Sequence, residues 1–282
     1  MNKGLGRYFP LFILPTLIAF VIAFLIPFLL GIWLSFTQFT TISDSTFVGF
    51  ANYREIFSGS SDFLNALWFT LKFTIVSVIS VNLLAFIFAM ILTRGIRGTR
   101  FFRTILFTPN LIGGIVLGYI WQLILNGFLM RLGVDITYAA KYGFWGLVLI
   151  MNWQMIGYMM VIYIAGLQSI PEELKESAQM DGAGIWGNLR HVILPLMSSS
   201  FTICLFLTLT NSFKLFDQNF ALTNGAPGKE TAMLALDIYK TFYGRVGSEG
   251  IGQAKAVLFF VLVSLIALVQ FKFSGRYEVR QR

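Results

Sequence analysis

The sequence predicts an all-α integral membrane protein with six transmembrane helices and with both the N and C termini cytoplasmic. Three observations carry that reading. The 282 residues are 56% hydrophobic and only 12% charged, with a positive mean hydropathy, the composition of a chain that spends much of its length in lipid. Apolar runs of the length that crosses a hydrocarbon core, about 20 residues, recur along it. The arginines and lysines gather near the ends of those runs, and they favour one side. Topology therefore accounts for the net charge of +8, and nucleic acid is not an expected partner.

The first span is expected over residues 8–36, after Lys3 and Arg7. It is too long for a signal-peptide core and lacks a small-residue cleavage site, so it reads as a retained helix. Pro15 and Pro27 are expected to kink it or end it early. A polar outer loop follows over 37–63. The second span covers 64–92, with Lys72 close enough to one end to snorkel. Arg94, Arg97, Arg100 and Arg103 then mark a cytoplasmic loop. The third span is expected over 104–126, with Pro109 and Gly113-Gly114 near its start. A short outer loop, 127–142, leads to the fourth span over 143–168. The fifth covers 196–213 and the sixth 254–271, followed by Lys272, Arg276, Arg280 and Arg282. Between the last two lies a long outer segment, where Leu234, Ile238 and Phe242 predict an amphipathic helix over 231–243. The chain thus divides into an amino-terminal helix with its outer loop (1–63), a five-helix core (64–272) and a basic cytoplasmic tail (273–282).

The polar stretch between the fourth and fifth spans reads as ordered. Ser169 and Glu172 have capping-box spacing, and Pro171 suits a first helical turn, so a helix is expected over 170–180 with Leu174 and Ala178 on one face. Asp181-Gly182 breaks it, because glycine adopts the left-handed conformation at little cost. Ile185, Leu189 and Val192 restart an apolar stripe, and Pro195 opens the next hydrophobic run. Two short amphipathic helices joined by a glycine elbow form an element that lies in an interface or docks in a partner's groove.

This stretch resembles the cytoplasmic EAA loop of binding-protein-dependent ABC importers: Glu176-Ser177-Ala178, three residues, Gly182, nine residues, then Val192-Ile193-Leu194-Pro195. Ser177 stands for the usual alanine and Val192 for the usual isoleucine. Further stretches resemble the sugar-type branch of the family. They are Gly49-Phe50-Ala51-Asn52-Tyr53, Arg100-Phe101-Phe102-Arg103 with Pro109, and Phe216-Asp217 with Leu222-Thr223-Asn224-Gly225-Ala226-Pro227. Ala226 takes the place of the usual second glycine.

The resemblance implies a type I ABC importer permease fold and a transmembrane subunit forming half of a translocation pore for a mono- or oligosaccharide. It also implies its partners: a second, different permease subunit, two ATPase subunits carrying ATP and Mg, and an extracytoplasmic solute-binding protein. The location implied is the cell membrane of a prokaryote. In the coupling loop it points to Glu176, Ala178, Asp181, Gly182 and Leu194. Ala178 would allow close approach, Gly182 the turn, and Glu176 or Asp181 a charged or capping contact. An importer of glycerol-phosphate or another polar solute shares these motifs.

Missing residues narrow the classes. No G-x-x-x-x-G-K-[ST] phosphate loop is present, so any nucleotide sits on another chain and no cofactor is expected here. Away from their ends the spans carry no Asp, Glu, Lys or Arg, which disfavours an ion-coupled secondary carrier. No catalytic base or metal cluster is apparent, which disfavours an embedded enzyme. Cys204 is the single cysteine and His191 the single histidine, so neither an internal disulfide nor a metal site is expected.

Sugars are recognised by aromatic faces, and by amides and hydroxyls that bond their OH groups. Candidates are Trp121 and Gln122 on the third span, Asn152, Trp153, Gln154 and Tyr158 on the fourth, and Asn211, Ser212 and Asp217 around the end of the fifth. The family's pore site, drawn from the last three spans, favours Gln154, Tyr158, Asn211 and Ser212. Each of these side chains could equally serve as an interface anchor or as interhelical glue.

Overall fold

The structure is a computed structural model and describes residues 5–58 and 62–278. Lys3, Arg280 and Arg282, assigned above to the basic tails, lie outside the described residues.

The chain begins with α1 (Leu5–Phe20), which passes through a π turn (Val21–Leu25) into α2 (Ile26–Leu34). A short hairpin, β1 (Thr37–Gln38) and β2 (Thr46–Phe47), precedes α3 (Ala51–Phe57). Then come α4 (Phe63–Leu92), α5 (Thr99–Phe107), α6 (Gly114–Leu129) and α7 (Ala140–Gln168). The helices α8 (Glu172–Met180), α9 (Ile185–Asn188) and α10 (Leu194–Leu196) lead into α11 (Ser198–Phe213). The chain closes with α12 (Asp217–Leu222), α13 (Leu234–Gly244) and α14 (Glu249–Glu278). Among the described residues five helices are long and apolar enough to cross a membrane. A sixth span forms if the two arms around Met197, bent by 70°, are taken as one.

Several boundaries differ from the sequence reading. The third span begins at Gly114, not near 104, because residues 99–107 form a separate amphipathic helix that Pro109 and the extended Gly113 cut off from α6. Pro15 leaves α1 unbroken. Pro27 instead follows a π turn in which the Ile26 N–H reaches Val21 O. Pro195 stands in the same relation to a second π turn, where the Leu194 N–H reaches Leu189 O. In both places the proline lacks the N–H that would continue the i−4 ladder, and the turn before it widens to take up an extra residue. Lys255, the second residue of the expected sixth span, is a charge near a span end that the sequence reading passed over. It is 3% exposed and donates to Thr241 Oγ1 at 2.8 Å.

Two compact units are present: residues up to Phe63 together with Ile238–Val261, and Leu64–Asp237 together with the residues from Leu262 onward. In the first unit, the Gly49–Tyr53 stretch ties down the end of α2. Asn52 Nδ2 donates to the carbonyls of Ser35 and Thr37, both at 2.9 Å, and Tyr53 shares a 2.7 Å hydrogen bond with Ser35 Oγ. Both carbonyls lie past the last residue of α2, and the one amide ties the helix end to the start of β1. Gly250 permits the approach of α14, because a Cβ there would lie 2.2 Å from Thr37 O. Asp44 closes a capping box with Thr41 and also bonds Thr40. These bonds, that of the Thr40 hydroxyl first, hold its carboxyl down at about 2.

The second unit packs around α7, whose Leu147, Ile150, Met151, Met159, Met160 and Tyr163 are essentially sealed. Gly157 is what lets α5 lie against it, since a Cβ would meet Leu106 O at 1.9 Å. A buried polar chain crosses three helices. Tyr163 Oη donates to Asn82 Oδ1 at 2.7 Å, and Asn82 Nδ2 donates to Thr208 Oγ1 at 3.1 Å. In lipid, where no water competes, such a chain fixes how helices pack.

Candidate functional site

Two regions of the second unit gather the residues singled out from the sequence. The first is the segment from α8 to α10. Its first helix begins one residue later than Pro171, which sits at the N-cap, and the expected Ser169 capping box does not form. Ser169 Oγ instead donates back to Gly166 O at 2.8 Å, closing the end of α7. Pro171 has an extended ψ of 133° that separates the two helices.

The elbow forms as expected. Gly182 has φ +83°. Its N–H bonds Gln179 O at 3.0 Å, and the Ala183 N–H bonds Ala178 O at 2.9 Å. That pair of bonds is the Schellman motif, which satisfies carbonyls the ending helix would otherwise leave free. Ala178, half-buried, accepts the outer of the two bonds, while Glu176, Asp181 and Gly182 are exposed. Leu194 is 38% exposed at the start of α10. Sequence reasoning placed Ile185 in an apolar stripe but missed Met180 and Trp186 beside it: Met180 is 87%, Ile185 75% and Trp186 81% exposed. The signal was there, in three large apolar residues flanking Asp181-Gly182. Lys175 pairs with Glu172 at 3.0 Å, and both line a pocket of about 580 Å³ with Gln179, Ile185, Arg94 and Asn188.

The second region is a pocket of about 290 Å³ between α7, the residues before α6, and the turn from α11 to α12. It brings together Gln154, Asn211 and Asp217 from the sequence candidates. Gln218 Nε2 donates to Gln154 Oε1 at 2.6 Å, and Gln154 Nε2 donates to Ile112 O at 3.3 Å, so the amide is fixed from both ends. Asn211, which also lines the pocket, donates from Nδ2 to Leu207 O at 2.8 Å. Asn110, Lys214, Phe216 and Gln218 also line it and were not among the expected pore residues. A close approach of backbones shapes this wall: a Cβ on Gly114 would lie 2.6 Å from Asp217 Cβ, and one on Gly118 2.6 Å from Ala221 Cβ. The pocket thus offers amides, one cation, one carboxylate and an aromatic ring. It can hydrogen-bond a polyhydroxylated solute but presents no acid–base pair on a nucleophile.

The other candidates lie elsewhere. Ser212 is fully buried, and its hydroxyl donates to Thr208 O at 2.7 Å, an intrahelical bond that turns it away from any pathway. Tyr158 packs edge-on to Phe107, with ring centroids 6.4 Å apart, at the rim of the hydrophobic core. Trp121 meets Trp153 edge-to-face at 5.5 Å, and its neighbour Gln122 bonds Leu222 O at 3.0 Å. Asn152 bonds Ser80 Oγ at 2.9 Å, acting between helices. Among the described residues no group of His, Cys, Asp and Glu could hold a metal ion.

A bundle of apolar helices, interrupted by an exposed helix–elbow–helix segment and enclosing a small polar pocket, defines a membrane transport permease. Residues 85–278 match the family described as the binding-protein-dependent transport system inner membrane component, and the chain belongs to that family. It is 42% identical, over 97% of this chain and 96% of the relative, to the probable starch degradation products transport system permease protein AmyD of Thermoanaerobacterium thermosulfurigenes. It is 29% identical, over 99% of each chain, to the multiple sugar-binding transport system permease protein MsmF of Streptococcus mutans. Its fold matches a chain in the crystal structure of a bacterial ABC transporter involved in the import of the acidic polysaccharide alginate. There the TM-score is 0.80 and the identity 23%, over 97% of this chain and 98% of that one.

Proposed function

We propose that the chain forms half of the translocation pore of an ATP-driven importer in a prokaryotic cell membrane. Its solute is a sugar, delivered by an extracytoplasmic binding protein. A second, different permease subunit supplies the other half, and ATP with Mg binds two separate ATPase chains. Both termini and the α8–α10 segment face the cytoplasm in this reading, which the distribution of arginines and lysines supports.

The observation that carries the reading is the exposed elbow. Met180, Ile185 and Trp186 project around a Schellman-capped turn that nothing covers among the described residues. Large exposed apolar residues on a short, stiff element fit a groove on another protein. A stiff joint also passes the movement of an ATPase to the helices it is joined to, through Ile193 and α11 on one side and α7 on the other. Glu176 and Asp181 flank the contact, Ala178 and Gly182 set its shape, and Leu194 continues its apolar side.

For the solute, Gln154, Asn211 and Asp217 supply hydroxyl-binding groups, and Phe216 supplies a face for a sugar ring. The likeness to a starch-product permease supports oligosaccharides of glucose as the first class to try. Lys214 keeps a glycerol-phosphate ester as the second reading, because a lone cation suits a phosphate.

The test is uptake by proteoliposomes holding both permeases, the ATPases and the binding protein. Uptake of labelled malto-oligosaccharide should require ATP inside the cytoplasmic face and survive collapse of ion gradients. Uptake that follows an ion gradient and ignores ATP would refute the importer reading. Competition by glycerol-phosphate but not by sugar would select the second solute.

A further inference from the structure

The arginine cluster after α4 has chemistry that the transport reading does not use. Residues 93–108 contain Arg94, Arg97, Arg100 and Arg103 and no Asp or Glu. None of the four takes part in an ion pair among the described residues. A cleft of about 510 Å³ opens there, lined by Leu92, Gly95, Gly98, Arg100, Arg103 and Gln168, among others. Leu92 and Gln168 are the last residues of α4 and α7, so the cleft lies at the level where two spans leave the hydrocarbon. Arg103 makes one long bond, from Nη2 to Leu92 O at 3.4 Å, and its buried Nε has no partner. Its guanidinium therefore keeps donors in hand.

The same helix has a second face. Helical spacing sets Arg100, Arg103 and Thr104 of α5 on one side and Phe101 and Ile105 on the other. Phe101 is 65%, Ile105 51% and Phe102 48% exposed. Arginines at the start of a helix whose other face carries bare aromatic and branched side chains sit where the headgroup layer meets the acyl chains. An acidic protein surface would match the cations but not the apolar stripe beside them. A phospholipid matches both.

We propose that this cleft binds the phosphate headgroup of an anionic phospholipid, with Arg100 and Arg103 as its ligands and the acyl chains along Phe101, Phe102 and Ile105. Planar guanidinium groups pair with phosphate oxygens in a two-pronged geometry, and basic pockets between span ends are where anionic headgroups settle. Arg94 and Arg97, both exposed, add to the local field.

The test is native mass spectrometry of the purified transporter complex, titrated in detergent with phosphatidylglycerol or phosphatidylcholine. Phosphatidylglycerol should be retained at a concentration at least about tenfold lower, and high salt should erode that preference. Arg100→Gln with Arg103→Gln should weaken phosphatidylglycerol roughly 30-fold and leave phosphatidylcholine unchanged. Arg100→Lys with Arg103→Lys should keep most of the preference. If the glutamine variant does not purify, the salt-dependent preference of the wild type and the lysine variant decides the matter. Equal retention of the two lipids would overturn the proposal, as would a glutamine variant that binds like wild type. Phosphatidylglycerol retained by the lone chain but expelled once the ATPases join would also overturn it, and would make the arginines a protein contact.

Discussion

Substitution at Gly182 tests the elbow most directly. The residue holds φ +83°, and a Cβ built there meets nothing within 4 Å. Alanine therefore adds no clash, and its cost is only that of the left-handed conformation, about 1–2 kcal/mol for a residue with a Cβ. The unbound alanine variant can relax out of this conformation, and docking must restore it, so that cost appears in the association with the ATPase as a roughly 5- to 30-fold weakening. Proline does more. Its φ is fixed near −65°, which is incompatible with this turn, and it lacks the N–H that bonds Gln179 O at 3.0 Å. The Schellman closure is then lost and the direction of α9 with it. The assay is recovery of ATPase and second permease with the tagged chain from detergent-solubilised membranes. Wild type should bring down both, alanine a reduced share of ATPase, and proline little ATPase, while the second permease is recovered equally from all three. Equal ATPase recovery from all three would refute the argument that the shape of the elbow makes the joint. Loss of the second permease as well would show that the fold, and not the joint, had failed.

Other positions yield expectations of different kinds. Gly157→Ala must push α5 off α7, because the clash is with backbone, and should destabilise the chain by about 1–3 kcal/mol, read as an earlier thermal unfolding in detergent. Asn52→Asp loses both donors to Ser35 O and Thr37 O and should cost about 1–3 kcal/mol in the same assay, more than the change Phe50→Leu on its exposed neighbour. Asp44 has a carboxyl held at about 2 against an ordinary 3.8, so its stabilisation of the β1–β2 hairpin is complete above the ordinary value and drains away as pH falls from about 4 toward 2. Proteolysis between β1 and β2 should rise over that window in wild type, and Asp44→Asn should be susceptible at every pH. Gln154→Leu removes a side chain fixed by Gln218 and Ile112 in the polar pocket and should raise the KM for sugar uptake about tenfold without changing basal ATP hydrolysis.

The sequence by itself determined the spans, the elbow and the class of protein. An apolar run of about 20 residues has one low-energy place, the hydrocarbon, whatever its neighbours, so α4 and α7 begin and end within a few residues of the expected positions. Asp181-Gly182 is legible for a similar reason: the left-handed turn is a local property of the backbone, and the Schellman bonds close within six residues.

Tertiary structure decided what depends on residues distant in the chain. The amide of Gln154 is held by Gln218, 64 residues away, and no local pattern announces that pairing. Ser212 and Asn211 are adjacent in sequence and equally polar, yet one is sealed and the other opens on the pocket, because they lie on different sides of α11. The break between α5 and α6 escaped the hydropathy of 104–126, because the residues on both sides of Pro109 and Gly113 are apolar. Composition and periodicity say which side chains leave water. Which of them meet is settled only when glycines such as Gly114, Gly118 and Gly157 let particular backbones touch.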